Sequence, residues 1–475
     1  MLMIKKLFSF GKNQSVPSAR SRAQPAPLWN GPVELLITNA TIVTCDEAFS
    51  VLENASLGVH DGKIVSLITN DEPAVKQLSS RATQIIDAEN KILMPGLINT
   101  HCHAGDSLFR GLVEGLPLEP WLEKLWIAET GTLTPETIEL GSTLGYAENA
   151  LNGVTTVVDM FWEPERLLAG AKAVGIRVAT GGIYFDPPGI DGKTMSQRIP
   201  LSRQFFDEFG GDEFLLPTLC VHGAYTVGPE QIKGALQVRD DYDALITIHA
   251  AETRAEQKTI IDNYGKSVIR HLDALGLLSE KSLLAHCVHV DEGEIDILAK
   301  TGAGVAHNPA SNLKLGSGIA PIPAMMKKGV RIGLGTDGAV SGNDLDMWNA
   351  IRLAATLHNG ANEDALAVRA RDAVRMATLE GAKALGIDRE TGSLEIGKRA
   401  DIILINPHKI HAVPSFDPVN TLAYTIAASD VQHVWSAGQS IVRDGAITTI
   451  DVETVLEKVN GLIPAIAATL AASQD

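Results

Sequence analysis

The chain has 475 residues, of which 45% are apolar and 20% charged, and a net charge of −17. That composition excludes wholesale disorder, a collagen-like repeat and a disulfide scaffold. The acidic balance argues against nucleic acid or an anionic membrane surface as the main partner, since both demand a positive field.

Residues 1–32 are basic. Lys5, Lys6, Lys12, Arg20 and Arg22 stand without an acid among them, interleaved with Pro17, Pro25 and Pro27, which predicts a disordered tail. Leu7-Phe8-Ser9-Phe10 is too short for the apolar core of a secretory signal; an organellar presequence is the minor alternative. No apolar run approaches the roughly 18 residues needed to span a bilayer, so no membrane partner is expected. Cys45, Cys102, Cys220 and Cys287 form no Cys-x-x-Cys pair. Reduced thiols in a cytoplasmic protein are the default for such a chain.

From 33 to 94 the sequence is rich in β-branched strand segments: Val33–Ile37, Thr41–Thr44, Ala55–Val59, Lys63–Leu67, Gln84–Asp87 and Lys91–Met94. Asp61-Gly62 marks a tight hairpin turn. Similar strands return between 389 and 450, at Ala400–Ile405, Val431–Ser436 and Gln439–Val442. The two ends are expected to form one small β-sandwich domain around a middle domain whose own ends lie close together. The middle, 95–388, alternates eight short apolar runs with helix-length connections such as Pro135–Leu151, Ala255–Leu275 and Glu292–Thr301. The runs are Leu97–Thr100, Thr155–Asp159, Arg177–Thr180, Leu215–Val221, Leu245–Ala250, Ser282–His286, Gly304–His307 and Arg331–Thr336. Alternation at this spacing predicts an α/β fold, and eight units predict a closed (β/α)8 TIM barrel. No Gly-x-Gly-x-x-Gly turn supports a dinucleotide-binding sheet instead. The Ala/Leu-rich stretch 451–475 is expected to be a helix packed outside.

Polar residues recur at one address. His101 and His103 follow the first run, His222 ends the fourth, His249 the fifth, His286 the sixth and His307 the seventh, while Asp337 follows the eighth. In a parallel barrel these C-terminal strand ends share one mouth, where active sites form. Residues two apart in a strand face one side, so His101 and His103 can reach one ion. With His249 and Asp337 they make three imidazoles and a carboxylate, a donor set suited to one borderline divalent ion, zinc or iron. Glu252 lies three residues beyond His249 and is placed to shuttle protons rather than to ligate. His286 is placed to act on the attacking water. His289 is the more structural of the pair.

These residues together resemble the amidohydrolase superfamily. The branch they most resemble is the methylthioadenosine/S-adenosylhomocysteine deaminases, with the triazine chlorohydrolases as relatives. The matching stretches are Met94-Pro-Gly-Leu-Ile-Asn-Thr-His-Cys-His103, Phe109-Arg-Gly-Leu112, Pro117-Leu-Glu-Pro-Trp-Leu122, His249-Ala-Ala-Glu-Thr253, Ala285-His-Cys-Val-His289, His307-Asn-Pro-Ala-Ser-Asn-Leu-Lys314, Gly335-Thr-Asp-Gly338 and Gly392-Ser-Leu-Glu-Ile-Gly-Lys-Arg-Ala-Asp401. The resemblance implies that His101, His103, His249 and Asp337 hold one metal ion, and that Glu252 protonates a ring nitrogen. It implies that His286 and Asp337 orient and deprotonate water. The place of a metal-bridging lysine in binuclear members reads Cys220-Val221-His222, so a single ion is expected. His222 and Glu129 match substrate-binding residues, Glu129 a reader of ribose hydroxyls. Trp162 and Phe161 either stack on a purine or belong to the rim. The loop Gly181–Gly189 lacks the arginines with which relatives take the carboxylate of S-adenosylhomocysteine, and Arg198 and Arg203 are candidate substitutes that do not align with them.

The activity expected is hydrolytic deamination of an adenosine-type nucleoside, with a small molecule as partner. A related ring hydrolase, acting on another purine, a pterin or a chlorotriazine, is the nearest alternative. A peptide-like amidase and a non-catalytic assembly protein are more distant ones. A homo-oligomer is left open.

Overall fold

The computed structural model describes residues 29–186 and 189–472; the predicted tail lies outside the described residues except for its last four. Strands β1 (Val33–Val43), β2 (Val51–His60), β3 (Lys63–Thr69), β4 (Ala82–Asp87) and β5 (Ile92–Pro95) open the chain. The β2–β3 hairpin turns on Asp61 and Gly62, both at positive φ (49° and 67°), as a two-residue turn of this twist requires. Sequence segmentation places two strands over 33–44. The structure has one, β1, with register irregularities beside Asn39 (φ 54°). A bulge there absorbs the residues that read as a break.

The chain passes from β5 through Gly96 directly into β6 (Leu97–His103). There follow β7 (Val154–Asp159), β8 (Arg177–Thr180), β9 (Ile183–Tyr184), β10 (Leu215–Gly223), β11 (Leu245–Ala250), β12 (Ser282–His286), β13 (Gly304–His307), β14 (Arg331–Leu334) and β15 (Asp337–Gly338). All their pairings are parallel, in the order β14-β13-β12-β11-β10-β8-β7-β6-β15, with β9 beside β10. β14 pairs with β13, while β15, two residues later in the chain, pairs with β6. The sheet is therefore a curled α/β layer whose last segment returns to its first strand. Its strands are buried along nearly their whole length, which explains their continuous apolar runs.

Helices connect the strands, and Pro135–Leu151 and Glu292–Thr301 have the limits read from the sequence. The expected helix over 255–275 is two: Arg254–Tyr264 ends at Gly265 (φ 67°), and Ser267 begins Val268–Ala274. The left-handed cap stops the first helix, and an apolar pattern that continues across it hides the stop.

After the helical connections come β16 (Ile402–Ile405), β17 (Val431–Ser436), β18 (Gln439–Arg443) and β19 (Ala446–Ile447). β16 pairs antiparallel with β5, so both ends of the chain meet in one nine-stranded sheet. Helix Val452–Ala472 closes the described chain. By length and composition it is apolar enough to cross a membrane, contrary to the sequence reading that no run comes near. Here Val459, Leu462, Ile466 and Leu470 pack with Trp121, Leu125 and Ala128 of helix Leu118–Thr132.

Candidate metal centre and substrate pocket

The register of the curled sheet assembles the site. Asp337 lies opposite Cys102 and Gly338 opposite His103, so the carboxylate sits between the two outward-pointing histidines of β6. His249 lies opposite Gly223 of β10 and Ala285 of β12. Between β14 and β15 the chain must pass close to β6. A Cβ at Gly335 would collide with Asn308 and with the His101 backbone, which is why glycine stands there. Asn99 then fixes the crossing, accepting from the Thr336 amide at 3.1 Å and donating to its hydroxyl at 2.8 Å.

Four donor atoms of His101, His103, His249 and Asp337 lie within 4.8 Å of one another. Asp337 Oδ1 is 3.4 Å from His101 Nε2 and 3.2 Å from His103 Nε2, and His249 Nε2 is 3.1 and 3.2 Å from the same two nitrogens. His249 Nδ1 donates to the His222 carbonyl at 2.7 Å, and His103 Nδ1 to the Met160 carbonyl at 2.6 Å. With Nδ1 carrying the proton in both rings, their Nε2 lone pairs face each other across 3.2 Å, an arrangement that only a positive charge between them relieves. Burial pushes His101 down to about 4 and His249 well below its ordinary value, so both are neutral donors. Burial also presses on His103, but the hydrogen bond and charge of Asp337 outweigh it and raise it to about 10. Asp337 is held well below the carboxylate range: burial pushes it up, and hydrogen bonds with His101 and His103 outweigh that. The donor set, the two neutral imidazoles of His101 and His249 and the charge of Asp337 all suit a divalent cation.

Glu252 and His286 stand at the rim of this cluster without joining it. Both are buried, 3.7 Å apart at Oε2 and Nε2. Ser317 donates to Glu252 Oε1 at 3.2 Å. Burial, reinforced by the charge of Asp337 and opposed by His286, raises the Glu252 pKa. His286 Nδ1 bonds Asn312 Oδ1 at 2.8 Å, so its Nε2 is left as an acceptor towards the cluster. Ser311 donates to Asp337 Oδ2 at 2.6 Å. Ala251, His286, Cys287 and Asp337 all have positive φ (53°, 76°, 46° and 64°). Such strain in non-glycine residues concentrates where side-chain aim matters more than local energy.

A pocket opens onto these groups. It is lined by His103, His222, His249, Glu252, His286 and Asp337 on one side. Trp121 and Leu125 belong to one apolar cluster along it, and Trp126, Phe161, Trp162 and Phe185 to another. Glu129, on helix Leu118–Thr132, reaches the same pocket, as do both aromatic residues that follow β7. Of the strand-end histidines only His307 is elsewhere: its Nε2 meets His358 Nε2 at 3.0 Å. His289 Nε2 bonds the Ser317 carbonyl at 2.8 Å and so supports the partner of Glu252. Arg198 is committed to Asp191 (2.8 and 3.0 Å), and Arg203 pairs with Asp241; neither lines the pocket. Sequence reading missed Asp106, Asn312, Ser311 and Ser317. The Asn and Ser residues sit inside the quoted stretch His307–Lys314 or just past it, so the motif itself was their signal.

A metal-ready cluster at one end of a parallel sheet, with a buried acid and a histidine beside a ring-sized aromatic pocket, defines a hydrolytic enzyme. Comparison with known proteins narrows the class. The model of the amidohydrolase family matches residues 92–441. A protein of Thermodesulfovibrio yellowstonii named 5-methylthioadenosine/S-adenosylhomocysteine deaminase is 35% identical over 88% of this chain and 95% of its own. The crystal structure of an adenosine deaminase from Xanthomonas campestris, with bound zinc, superposes with a TM-score of 0.88 at 30% identity, covering 92% of this chain and 99% of that one. A triazine hydrolase of Arthrobacter aurescens superposes with a TM-score of 0.85 at 26% identity, covering 91% and 100%. The chain belongs to the amidohydrolase family and is a hydrolase of C–N bonds.

Proposed function

We propose that this protein is a mononuclear, metal-dependent aminohydrolase of adenine nucleosides such as adenosine, 5′-methylthioadenosine or S-adenosylhomocysteine, releasing ammonia and the inosine analogue. One observation carries the reading: a buried acid, Glu252, lies beside His286 at the edge of the His101–His103–His249–Asp337 cluster. The deaminase names of its relatives agree. The curled sheet is read as a (β/α)8 barrel over 95–388. The segments 33–94 and 389–450 are read as one β-sandwich, whose halves share the buried cluster of Leu35, Leu57, Ile402 and Trp435. The C-terminal helix, described over Val452–Ala472, is read as an addition packed outside the barrel. Four unpaired cysteines fit a cytoplasmic enzyme.

His101, His103, His249 and Asp337 would hold the ion, which we take to be zinc. Bound there, a divalent cation supplies Lewis acidity that makes water nucleophilic at neutral pH. His286, its Nδ1 proton given to Asn312, accepts the proton of the attacking water at Nε2. Glu252, whose pKa burial raises, donates to the ring nitrogen next to the attacked carbon, where the proton stays in the product. The proton that His286 takes from water passes to the amino group, which leaves as ammonia, and the remaining hydroxyl proton, lost as the carbonyl forms, restores Glu252. His222 and Glu129 orient the nucleoside from the pocket wall. Glu252→Gln is expected to lower kcat by roughly 10²–10⁴-fold while metal per chain stays the same. The assay is ammonia release from the three nucleosides, with a chlorotriazine for comparison because a triazine hydrolase shares the fold. Chloride release without ammonia would replace this reading by the triazine one.

A further inference from the structure

Asp106 is a pocket residue that the reaction described above does not use. It lies in the 3-10 turn Ala104–Phe109 that follows His103, is 4% exposed and lines the pocket. Its Oδ1 is buried without any hydrogen-bond partner. Glu129, also 4% exposed, reaches the same pocket from helix Leu118–Thr132, and the two acids act on each other's ionisation. Two carboxyl groups this close do not both ionise. Burial raises both acids, Glu129 well above its ordinary value and Asp106 to about 7. An unpartnered carboxylate oxygen in a dry site is costly. It is retained at little benefit to the fold alone, on a residue that lines the pocket.

We propose that Asp106 is a specificity-determining residue that pairs with Glu129 to read the vicinal hydroxyls of the substrate's ribose. Asp106 Oδ1 accepts one O–H and Glu129 the other. The inference rests on the nucleoside reading above. It adds that recognition of the sugar comes from two acids on two different elements and not from one carboxylate.

The zinc-loaded enzyme would be assayed with adenosine, 2′-deoxyadenosine and 3′-deoxyadenosine, as wild type, Asp106→Asn and Glu129→Gln. The wild type is expected to favour adenosine. Asp106→Asn should raise its KM for adenosine by roughly 10-fold or more, with the deoxynucleosides affected much less, so that the preference narrows. The loss should fall on KM and not on kcat, because Asp106 does not touch the reacting carbon. Glu129→Gln should narrow the same preference. In the double variant the second substitution should cost less than it does alone, because the pair acts as a unit. Metal content and the thermal midpoint are measured for every variant, since Asp106 is three residues from His103. An unchanged adenosine-to-deoxyadenosine ratio in both variants, with metal retained, overturns the role of the pair and leaves the deaminase reading intact. An equal fall in kcat on all three nucleosides assigns Asp106 to support of His103 and also overturns it. A wild type that turns over no adenine nucleoside removes both.

Discussion

Glu252 is aimed by the turn that carries it, and that turn depends on a second acid. The Glu252 amide donates to Glu256 Oε2 at 2.7 Å, and the amides of Ala251 and Thr253 also point at this carboxyl group. Together they hold Ala251 at positive φ. Glu256 is buried, and burial, more than the neighbouring charge of Glu252, raises it to about 8. The sign of the linkage follows. Below about pH 4.5 both the folded and the unfolded chain hold this proton, and the group costs nothing. As pH rises towards 8 the unfolded chain releases the proton while the fold retains it, so stability is lost across that window and is level above it. Glu256→Gln keeps a carbonyl acceptor for the turn and has no proton to lose. The melting temperature of the variant relative to wild type should climb between pH 5 and pH 8. A difference that is flat with pH would show that the carboxyl group ionises normally inside the fold. The sequence made His249 and Glu252 legible because they form a local motif at a strand end. Glu256, Asp106 and Asn312 were not legible in the same way, because their roles depend on burial and on partners that the chain order does not reveal.

At the scale of elements, the pocket depends on a helix that is itself held from behind. Leu118–Thr132 brings Trp121, Leu125 and Glu129 to the pocket. Its outer side is covered by Val459, Leu462, Ile466 and Leu470 of Val452–Ala472, spaced three or four apart as one helical stripe. Ile466 is buried, while Leu456 and Ile463 on the same helix are 45% and 56% exposed. Only one stripe is therefore packed. Ile466→Ala should cost about 2 kcal/mol of stability, the lower end for such truncations because the site is near the surface. It should also raise KM for the nucleoside by loosening the helix that carries Glu129. Ile466→Leu, similar in volume, should restore both. Denaturant unfolding and steady-state kinetics would report the two effects, and a stability loss with unchanged KM would uncouple the terminal helix from the pocket. The sequence predicted this helix but not what it covers. In the same way, the pattern over 254–275 predicted helical residues and missed the stop at Gly265, because apolar periodicity runs on through a left-handed cap that glycine alone makes cheap.

For the whole molecule, the parts of the cluster are far apart in the chain and adjacent only in the fold. His101 and His103 come from β6, His249 from β11 and Asp337 from β15. β6 with β15 joins the first and last segments of the curled sheet, and β11 lies on its far side in strand order. The eight-run alternation was legible because buried parallel strands are continuously apolar. The return of β15 to β6 was legible only through the histidines, which make sense if their strand ends share a mouth. A cation bound to all four side chains would link segments that otherwise meet through packing and one short pairing, and would bind the folded chain far better than the unfolded one. Removing it with a chelator should abolish ammonia release and lower the thermal midpoint, since a ligand present at 100 times its Kd stabilises the fold by about 2.7 kcal/mol. Asp337→Asn, which removes the charge that draws positive charge to the cluster, should melt like the chelated wild type. It should also gain little on adding zinc. The two effects are separable by elemental analysis. If metal leaves and activity falls but the midpoint does not move, the four ligands serve the chemistry alone and packing closes the sheet unaided. If the midpoint falls in wild type and not in Asp337→Asn, the cation is part of what holds β6, β11 and β15 in register.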